Sequence, residues 1–352
     1  MSLADNIYID TCRNILFTGD STEGFPCRAI WEDTGENAYT IKKFGVVNRY
    51  NLQEEFPAIT IRKTYIKSAI DEILWIYQKR SNDVRLLNSK IWDQWTDDSG
   101  TIGKAYGYQI AKLSLIRVDE LNNYNEIGNM KLGDNYHFMS SFIDEKGVYN
   151  LNIFYDESMN KEKMIFVNKD YDRYQLSKID TKMKINIYAD QINYVLYQLR
   201  NNPLSRRIMT NMYNHEDSYY MMLQPCAYSC LFNVSDDGSE KPVLNMILNQ
   251  RSQDMLVAGN WNVVQYAALL MMVAHTVDMI PGELIHVIGD CHIYDRHIPI
   301  VKDMIENCNI YDAPIVTFNP GECKNFFEYT TDMFEIQDYK YGKDIKNIPV
   351  AK

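Results

Sequence analysis

Residues 223–297 gather side chains suited to covalent and anion-binding chemistry. Cys226 follows Pro225, and a thiol is a strong nucleophile where a nearby cation stabilises its thiolate. Arg251 can be that cation, and Ser252 beside it adds a hydroxyl. Asp254 contributes a carboxylate, and Asn262 an amide that both donates and accepts. The run Gly289-Asp290-Cys291-His292-Ile293-Tyr294 adds an imidazole and a phenol. Each group sits at a turn or at the edge of an apolar segment, where side chains converge on one cavity. Taken singly they have plainer readings: a lone cysteine is also a small core hydrophobe, and a lone histidine a satisfied structural residue. Cys226, Cys230, Cys291 and His292 are zinc ligands by type, but a C-x-x-x-C without a matching second pair is a weak metal signal.

The elements that must position these groups are legible as periodicity. Residues 261–280 form the most apolar window, and Asn262, Gln265, His275 and Asp278 within it favour a buried helix over a membrane span. Residues 65–80 read as a helix with Ile66, Ala69, Ile70, Ile73, Leu74 and Tyr77 on one stripe. Glu72, Trp75 and Ile76 lie off that stripe on a second, partly apolar face. A helix apolar on two faces is buried, so Glu72 is a candidate carboxylate with a raised pKa, suited to proton transfer. Residues 1–17 carry a weak helical pattern, 46–61 read as strands, and 190–201 read as an amphipathic helix ended by Pro203. Ser205-Arg206-Arg207 follows, and adjacent guanidinium forks suit a phosphate.

The whole chain has 352 residues, 46% of them hydrophobic, enough for a sizeable core in one large domain or two. Its net charge of −11 disfavours a broad nucleic-acid or anionic-membrane surface. Seven scattered cysteines argue against a disulfide framework, and no charged n-region followed by an apolar h-region opens the chain, so a reducing cytoplasm is expected.

Several motifs in this order closely resemble the thymidylate synthase family. They are Ile91-Trp92-Asp93-Gln94-Trp95, Gly103-x-x-Tyr106-Gly107, Asn202-Pro203-x-Ser205-Arg206-Arg207, Pro225-Cys226, Gln250-Arg251-Ser252-x-Asp254, Asn262 with 266–270, and Gly289-Asp290-x-His292-x-Tyr294-x-x-His297. The resemblance is strong over 60–110 and 188–297 and absent from about 112–187. It implies an α+β fold, a large mixed β-sheet with helices packed on one side. The other sheet face would form a homodimer. It implies one catalytic domain over 1–352, and the unmatched stretch reads as an inserted β-rich lobe, with a hairpin pair as one arrangement, strands at 149–155 and 164–167 and turns at 133–134, 145–147 and 168–172. That lobe shows no nucleotide or metal motif and reads as a surface elaboration.

The implied reaction is methylation of dUMP to dTMP by 5,10-methylene-tetrahydrofolate, a co-substrate that supplies carbon and hydride, with no metal. Accordingly no G-x-G-x-x-G nucleotide motif is present. By resemblance Cys226 is the nucleophile, Glu72 the proton relay, and Tyr106 lies near the pyrimidine. Arg28, Arg251, Ser252 and the partner subunit's Arg206 and Arg207 hold the phosphate. Asn262 reads the base, and His292 and Tyr294 the ribose. Trp92, Trp95, Asp254 and the tail at Ala351 border the folate. Most family tails end on an apolar residue, and Lys352 departs from that. Two further departures lie at the core of the site: Ala227 stands where most members carry His, and Gln265 where most carry a small residue. Asn262 and Gln265 are i and i+3 on one helix, so Gln265 is a candidate to replace the lost hydrogen bond. Competing readings are a pyrimidine-nucleotide (dUMP or dCMP) hydroxymethyltransferase and a non-catalytic nucleotide- or RNA-binding protein on the same scaffold.

Overall fold

The computed structural model describes residues 2–88, 90–121, 135–146, 148–158 and 182–351. In chain order its helices and strands are α1 (Leu3–Thr18), β1 (Asp20–Ser21), β2 (Thr40–Asn51), α2 (Ile66–Tyr77), α3 (Gly107–Ile110), β3 (Ser114–Leu121), β4 (Tyr136–Ile143), β5 (Tyr149–Tyr155), β6 (Met183–Ala189), α4 (Gln191–Asn201), β7 (Met209–Asn211), β8 (Ala227–Ser235), β9 (Val243–Asp254), α5 (Trp261–Thr276), β10 (Ile280–Tyr294), α6 (Ile298–Asn307), β11 (Ile315–Phe318) and β12 (Phe334–Gln337). The expected turns at 133–134 and 168–172, the expected strand at 164–167, Gly147 and Lys352 lie outside the described residues.

The main sheet has six strands in the order β1-β2-β10-β9-β8-β7. Only β9 and β10 run parallel; the other neighbours are antiparallel. This is the mixed sheet of the expected α+β class. Burial alternates along it as a one-sided sheet requires. Leu244, Met246 and Leu248 of β9 and Leu284 and Ile288 of β10 enter the core, where α1 packs on β2 and β10, and α5 on β9 and β10. Asn245, Ile247, Ile285 and Val287 point the other way and stay half-buried. A shallow groove on that outer face is lined by Leu231, Ile247 and Ile285, among others, and Phe44 and Val47 of β2 are exposed.

Helix α5 is buried on nearly every side, which accounts for a window apolar all round. It stops at Thr276, and Ile280 already opens β10. Among the described residues no helix is long and apolar enough to cross a membrane.

The strand expected over 46–61 is Thr40–Asn51 only. Phe56, Ala58, Ile59 and Ile61 are buried without joining a sheet. Side chains satisfy this backbone instead: the Asp5 carboxylate accepts from the N–H groups of Thr60 and Ile61 at 2.9 Å, and Asn260 bonds Ile59 N and Pro57 O. Apolar content alone cannot tell such a segment from a core strand.

Residues 114–189 contribute a separate four-stranded sheet, order β3-β6-β5-β4. β4 and β5 form an antiparallel hairpin, while β5 and β6 run parallel and β3 returns antiparallel on β6. Ile153, Tyr155, Ile185, Ile187 and Ala189 give it a small core of its own, shared with Tyr197 of α4. Ion pairs tie it to the main body: Arg80, just past α2, meets Asp156 and Asp190, and Arg200 of α4 clasps Glu157 through two bonds of 3.0 and 2.9 Å. The Arg80–Asp190 pair is the more enclosed of the two, and removing one member of a buried pair typically costs about 3–5 kcal/mol.

Candidate active site

Strand register brings the chemical groups to one end of the main sheet. On the parallel β9/β10 pair, Ser252 lies opposite Asp290 and Asp254 opposite His292. Ala227 at the start of β8 lies opposite Gln250. Cys226, one residue earlier, is anchored by its backbone: its N–H donates to the Tyr106 hydroxyl at 3.1 Å, and its carbonyl accepts from Arg251 N–H at 2.9 Å. The Arg251 guanidinium donates to the carbonyls of Pro225 (3.1 Å) and Gln224 (2.7 Å) and comes within 3.7 Å of the Cys226 Sγ. Burial pushes the Cys226 thiol above its ordinary value, and Arg251 and then Tyr106 push back. The thiol is therefore stored protonated, with a fixed counter-charge beside the place where its anion forms.

Tyr106 reaches Cys226 from a strained backbone, φ 46° and ψ −107°, a conformation that costs a non-glycine residue about 1–3 kcal/mol. The glycines around it have steric reasons. A Cβ on Gly107 would lie 2.1 Å from the Ser81 carbonyl oxygen, and Gly103 adopts φ +67° with the Tyr220 carbonyl oxygen just as close.

Asn262 stands in a chain of side chains whose sense is set from the buried end. Burial pulls the His286 pKa down to about 3, so its ring is neutral. Its Nε2 faces Gln250 Oε1 at 2.8 Å. Gln250 Nε2 then donates to Asn262 Oδ1 at 3.1 Å, and Asn262 Nδ2 donates to Gln265 Oε1 at 2.9 Å. An amide has two donor hydrogens and two acceptor lone pairs, so Asn262 keeps one of each for a base. Gln265 is thus in contact with Asn262, at the helical spacing expected.

Glu72 is buried on α2, and desolvation pushes its carboxyl up to about 7 against the opposing effects of Gln265, Trp261 and Trp92. Of the three, the Trp261 indole makes a direct bond, Nε1 to Oε2 at 2.9 Å. Gln265 Nε2 and Trp92 Nε1 are buried without a hydrogen-bond partner among the described residues, so they act on Glu72 at longer range.

Of the remaining candidates, His292, Tyr294 and Asp254 lie at the same end of the sheet. His292 Nδ1 bonds Asp290 Oδ1 at 2.8 Å, and its ring meets Tyr294 edge-on at 5.0 Å. Burial raises the Tyr294 hydroxyl to about 12, keeping it a neutral donor. Asp254 accepts from the N–H groups of Leu256 (2.9 Å) and Val257 (3.1 Å). Burial disfavours its anion, but His297 leads the interactions that outweigh this and leave its pKa lowered. Trp92 lies edge-on to Trp95 at 5.8 Å and to Tyr106 at 5.1 Å. The tail returns here, with Ala351 bridged to Trp31. Arg28 is exposed on the loop before Trp31, and Arg206 and Arg207 are exposed on the loop after α4. No hydrogen bond or ion pair among the described residues joins these three guanidinium groups to Cys226 or Arg251.

Three contributors carry no role in the sequence reading: Trp261 on Glu72, His286 behind Gln250, and His297 under the tail. Trp261 sits beside Asn262 and reads as core; the other two meet their partners only through strand register and tail return. Among the described residues, no group of three or more His, Cys, Asp or Glu side chains is arranged to hold a metal, and all seven cysteines are free.

Known proteins resemble this chain over almost its whole length. The family model described as Thymidylate synthase matches residues 6–351. The thymidylate synthase of Bacillus phage phi3T is 32% identical over 345 residues, 97% of each chain, as is thymidylate synthase 1 of Bacillus subtilis strain 168. The solved structure of the thermostable thymidylate synthase A from Bacillus subtilis superposes with a TM-score of 0.71 at 32% identity, covering 99% of each chain. A family match over nearly the whole length, on a sheet that brings Cys226, Arg251 and Tyr106 together, makes this chain a member of the thymidylate synthase family.

Proposed function

We propose that the protein converts dUMP to dTMP, with 5,10-methylene-tetrahydrofolate as co-substrate and dihydrofolate as second product. The observation that carries the reading is the Cys226 Sγ held 3.7 Å from the Arg251 guanidinium. Pyrimidine C6 is electron-poor, and thiolate addition there makes C5 an enolate-like nucleophile. Arg251 and Ser252 hold the phosphate with Arg28 and with Arg206 and Arg207 of the partner subunit. Asn262 meets O4 and N3–H with its remaining donor and acceptor, and His292 and Tyr294 bind the ribose 3′-hydroxyl. A carboxyl near pKa 7 can both take and return a proton at neutral pH, which suits Glu72 to relay protons at the base through water. The folate supplies the one-carbon unit and the hydride. Asp254, ionised and bonded to its own turn, suits a pteridine N–H, with Trp92, Trp95 and Ala351 bordering the same ligand. The half-buried apolar face of the main sheet supports a homodimer, and the separate core of the 112–187 lobe supports its reading as an elaboration on one catalytic domain.

A hydroxymethyltransferase would use the same cysteine but let water trap the activated methylene. Buried Trp92 and the returned tail favour the synthase, and dihydrofolate formation separates the two. A non-catalytic binder has no use for a thiol with its own counter-charge. The test is incubation with 5-fluoro-dUMP and methylene-tetrahydrofolate. Fluorine does not leave C5 as a proton does, so a covalent complex on Cys226 is expected by intact-mass measurement; its absence would overturn the reading.

Asn262→Asp is expected to shift preference from dUMP toward dCMP. Cytosine presents a donor at position 4 and an acceptor at N3, the reverse of uracil, and a proton-sharing carboxyl matches that pattern. The ratio of kcat/KM values for the two nucleotides is the measurement, and an unchanged ratio removes Asn262 from base recognition.

Gln265→Ala leaves Asn262 Nδ2 without its partner. The expected loss in kcat/KM for dUMP is about ten- to a hundredfold, partly recovered by adding Ala227→His. A double-mutant cycle reads the coupling; purely additive effects would show that residue 227 and Gln265 do not compensate for each other.

A further inference from the structure

His297 is fully buried and touches four parts of the site at once. Its Nε2 lies 2.7 Å from the Pro349 carbonyl oxygen in the tail. Its Nδ1 lies 3.5 Å from Asp254 Oδ1, within ion-pair reach, and has no closer hydrogen-bond partner among the described residues. Its ring meets Tyr294 edge-on at 5.5 Å and Trp31 edge-on at 5.7 Å. Trp31 in turn bridges Ala351 and donates from Nε1 to Asp295 at 3.0 Å.

We infer that His297 is a positioning residue that latches the C-terminal tail to the carboxylate assigned to the folate. The inference rests on the reading of Asp254 as a folate contact. A neutral imidazole has one N–H. Given to Pro349, it leaves a lone pair facing the Asp254 anion; given to Asp254, it leaves a lone pair facing the Pro349 carbonyl. Only the imidazolium satisfies both neighbours. Burial works against that cation, but Asp254, then Pro349 and Asp295, outweigh it and raise the pKa of His297 above its ordinary value. Asp254 from β9 and Asp295 from the turn after β10 act on the ring, and Tyr294 of β10 meets it edge-on. Close to Asp254 lie His292 of β10 and Tyr8 and Cys12 of α1, and Arg296, stacked on Trp31, holds Asp33 and Glu36. With a raised pKa the sign is fixed. The double contact is complete below the ordinary histidine value and is lost as pH rises through the folded one, so the tail should loosen toward alkaline pH.

The test compares His297→Ala and His297→Gln in the full chain. Carboxypeptidase trimming of the tail, followed by mass without any ligand, reads the latch directly. The alanine variant should be trimmed about tenfold faster and show a folate KM raised about tenfold, with dUMP affinity far less affected, as expected for loss of one charge-assisted contact. Glutamine can still donate to Pro349, so it should protect the tail but flatten the rise of folate KM between about pH 6 and about pH 9. In a chain lacking residues 349–352, His297→Ala should add nothing to the folate KM. Unchanged trimming in the alanine variant, a wild-type pH profile in the glutamine variant, or an equal alanine penalty with and without the tail would each overturn the inference. If alanine destabilises the fold, the glutamine profile decides. Lack of a covalent 5-fluoro-dUMP complex in the unaltered protein would sink the functional reading instead, and the trimming result would still report on the latch.

Discussion

Cys226→Ser is expected to reduce dTMP formation by more than about a thousandfold while dUMP still binds. The argument is one of geometry and acidity. Three contacts fix the backbone and surroundings of residue 226: Tyr106 on its N–H, Arg251 N–H on its carbonyl, and the Arg251 side chain on Pro225 and Gln224. None involves the sulfur, so serine should occupy the same place. Arg251 offsets part of the burial that raises the thiol, but a hydroxyl is far harder to ionise, and one guanidinium cannot make an alkoxide available near neutrality. The groups assigned to phosphate, base and ribose are untouched. Calorimetry should find dUMP affinity within about threefold of the unaltered protein, about 0.7 kcal/mol. Appreciable turnover by the serine variant would rule out Cys226 as the nucleophile.

The second large effect is a recovery. Arg206 and Arg207 are exposed on the loop between α4 and β7, with no bond among the described residues to their own Cys226 or Arg251. If each subunit lends them to its neighbour, Cys226→Ser and the Arg206→Ala/Arg207→Ala double variant should each be nearly inactive alone. Mixed and allowed to exchange, they should regain up to about a quarter of normal activity, because random pairing makes half of the dimers mixed and each mixed dimer has one complete site out of two. Subunit exchange must be shown separately, by native mass spectrometry of differently labelled chains. Exchange without recovery would refute the shared site.

Much of this site is legible in the sequence because the signals are local. Glu72 declares itself by lying off the apolar stripe of a helix whose other face is also apolar, and it is buried as that pattern requires. Asn262 and Gln265 meet because they are three apart on α5. What is not legible depends on pairing between distant segments. Nothing near His286 announces that it orients Gln250; that follows from two parallel strands in one register. Residues 56–61 are apolar enough for a strand, yet Asp5 takes their hydrogen bonds. Strand β5 lies where the alternation at 149–155 points, but its hairpin partner β4 and the parallel β5/β6 pairing have no such local signature.

The strained turn at Tyr106 also bears on how this enzyme can be changed. A glycine there would release about 1–3 kcal/mol of backbone strain, but it would empty a buried aromatic site packed against Trp92, a loss of about 3–5 kcal/mol, and remove the hydroxyl that holds Cys226. The strain is therefore held in place by packing as well as by chemistry, and relaxing the backbone alone does not make the fold more heat-resistant. A library screened for melting temperature should accept tyrosine and phenylalanine at this position, and a screen that reads turnover should separate the two by the hydroxyl.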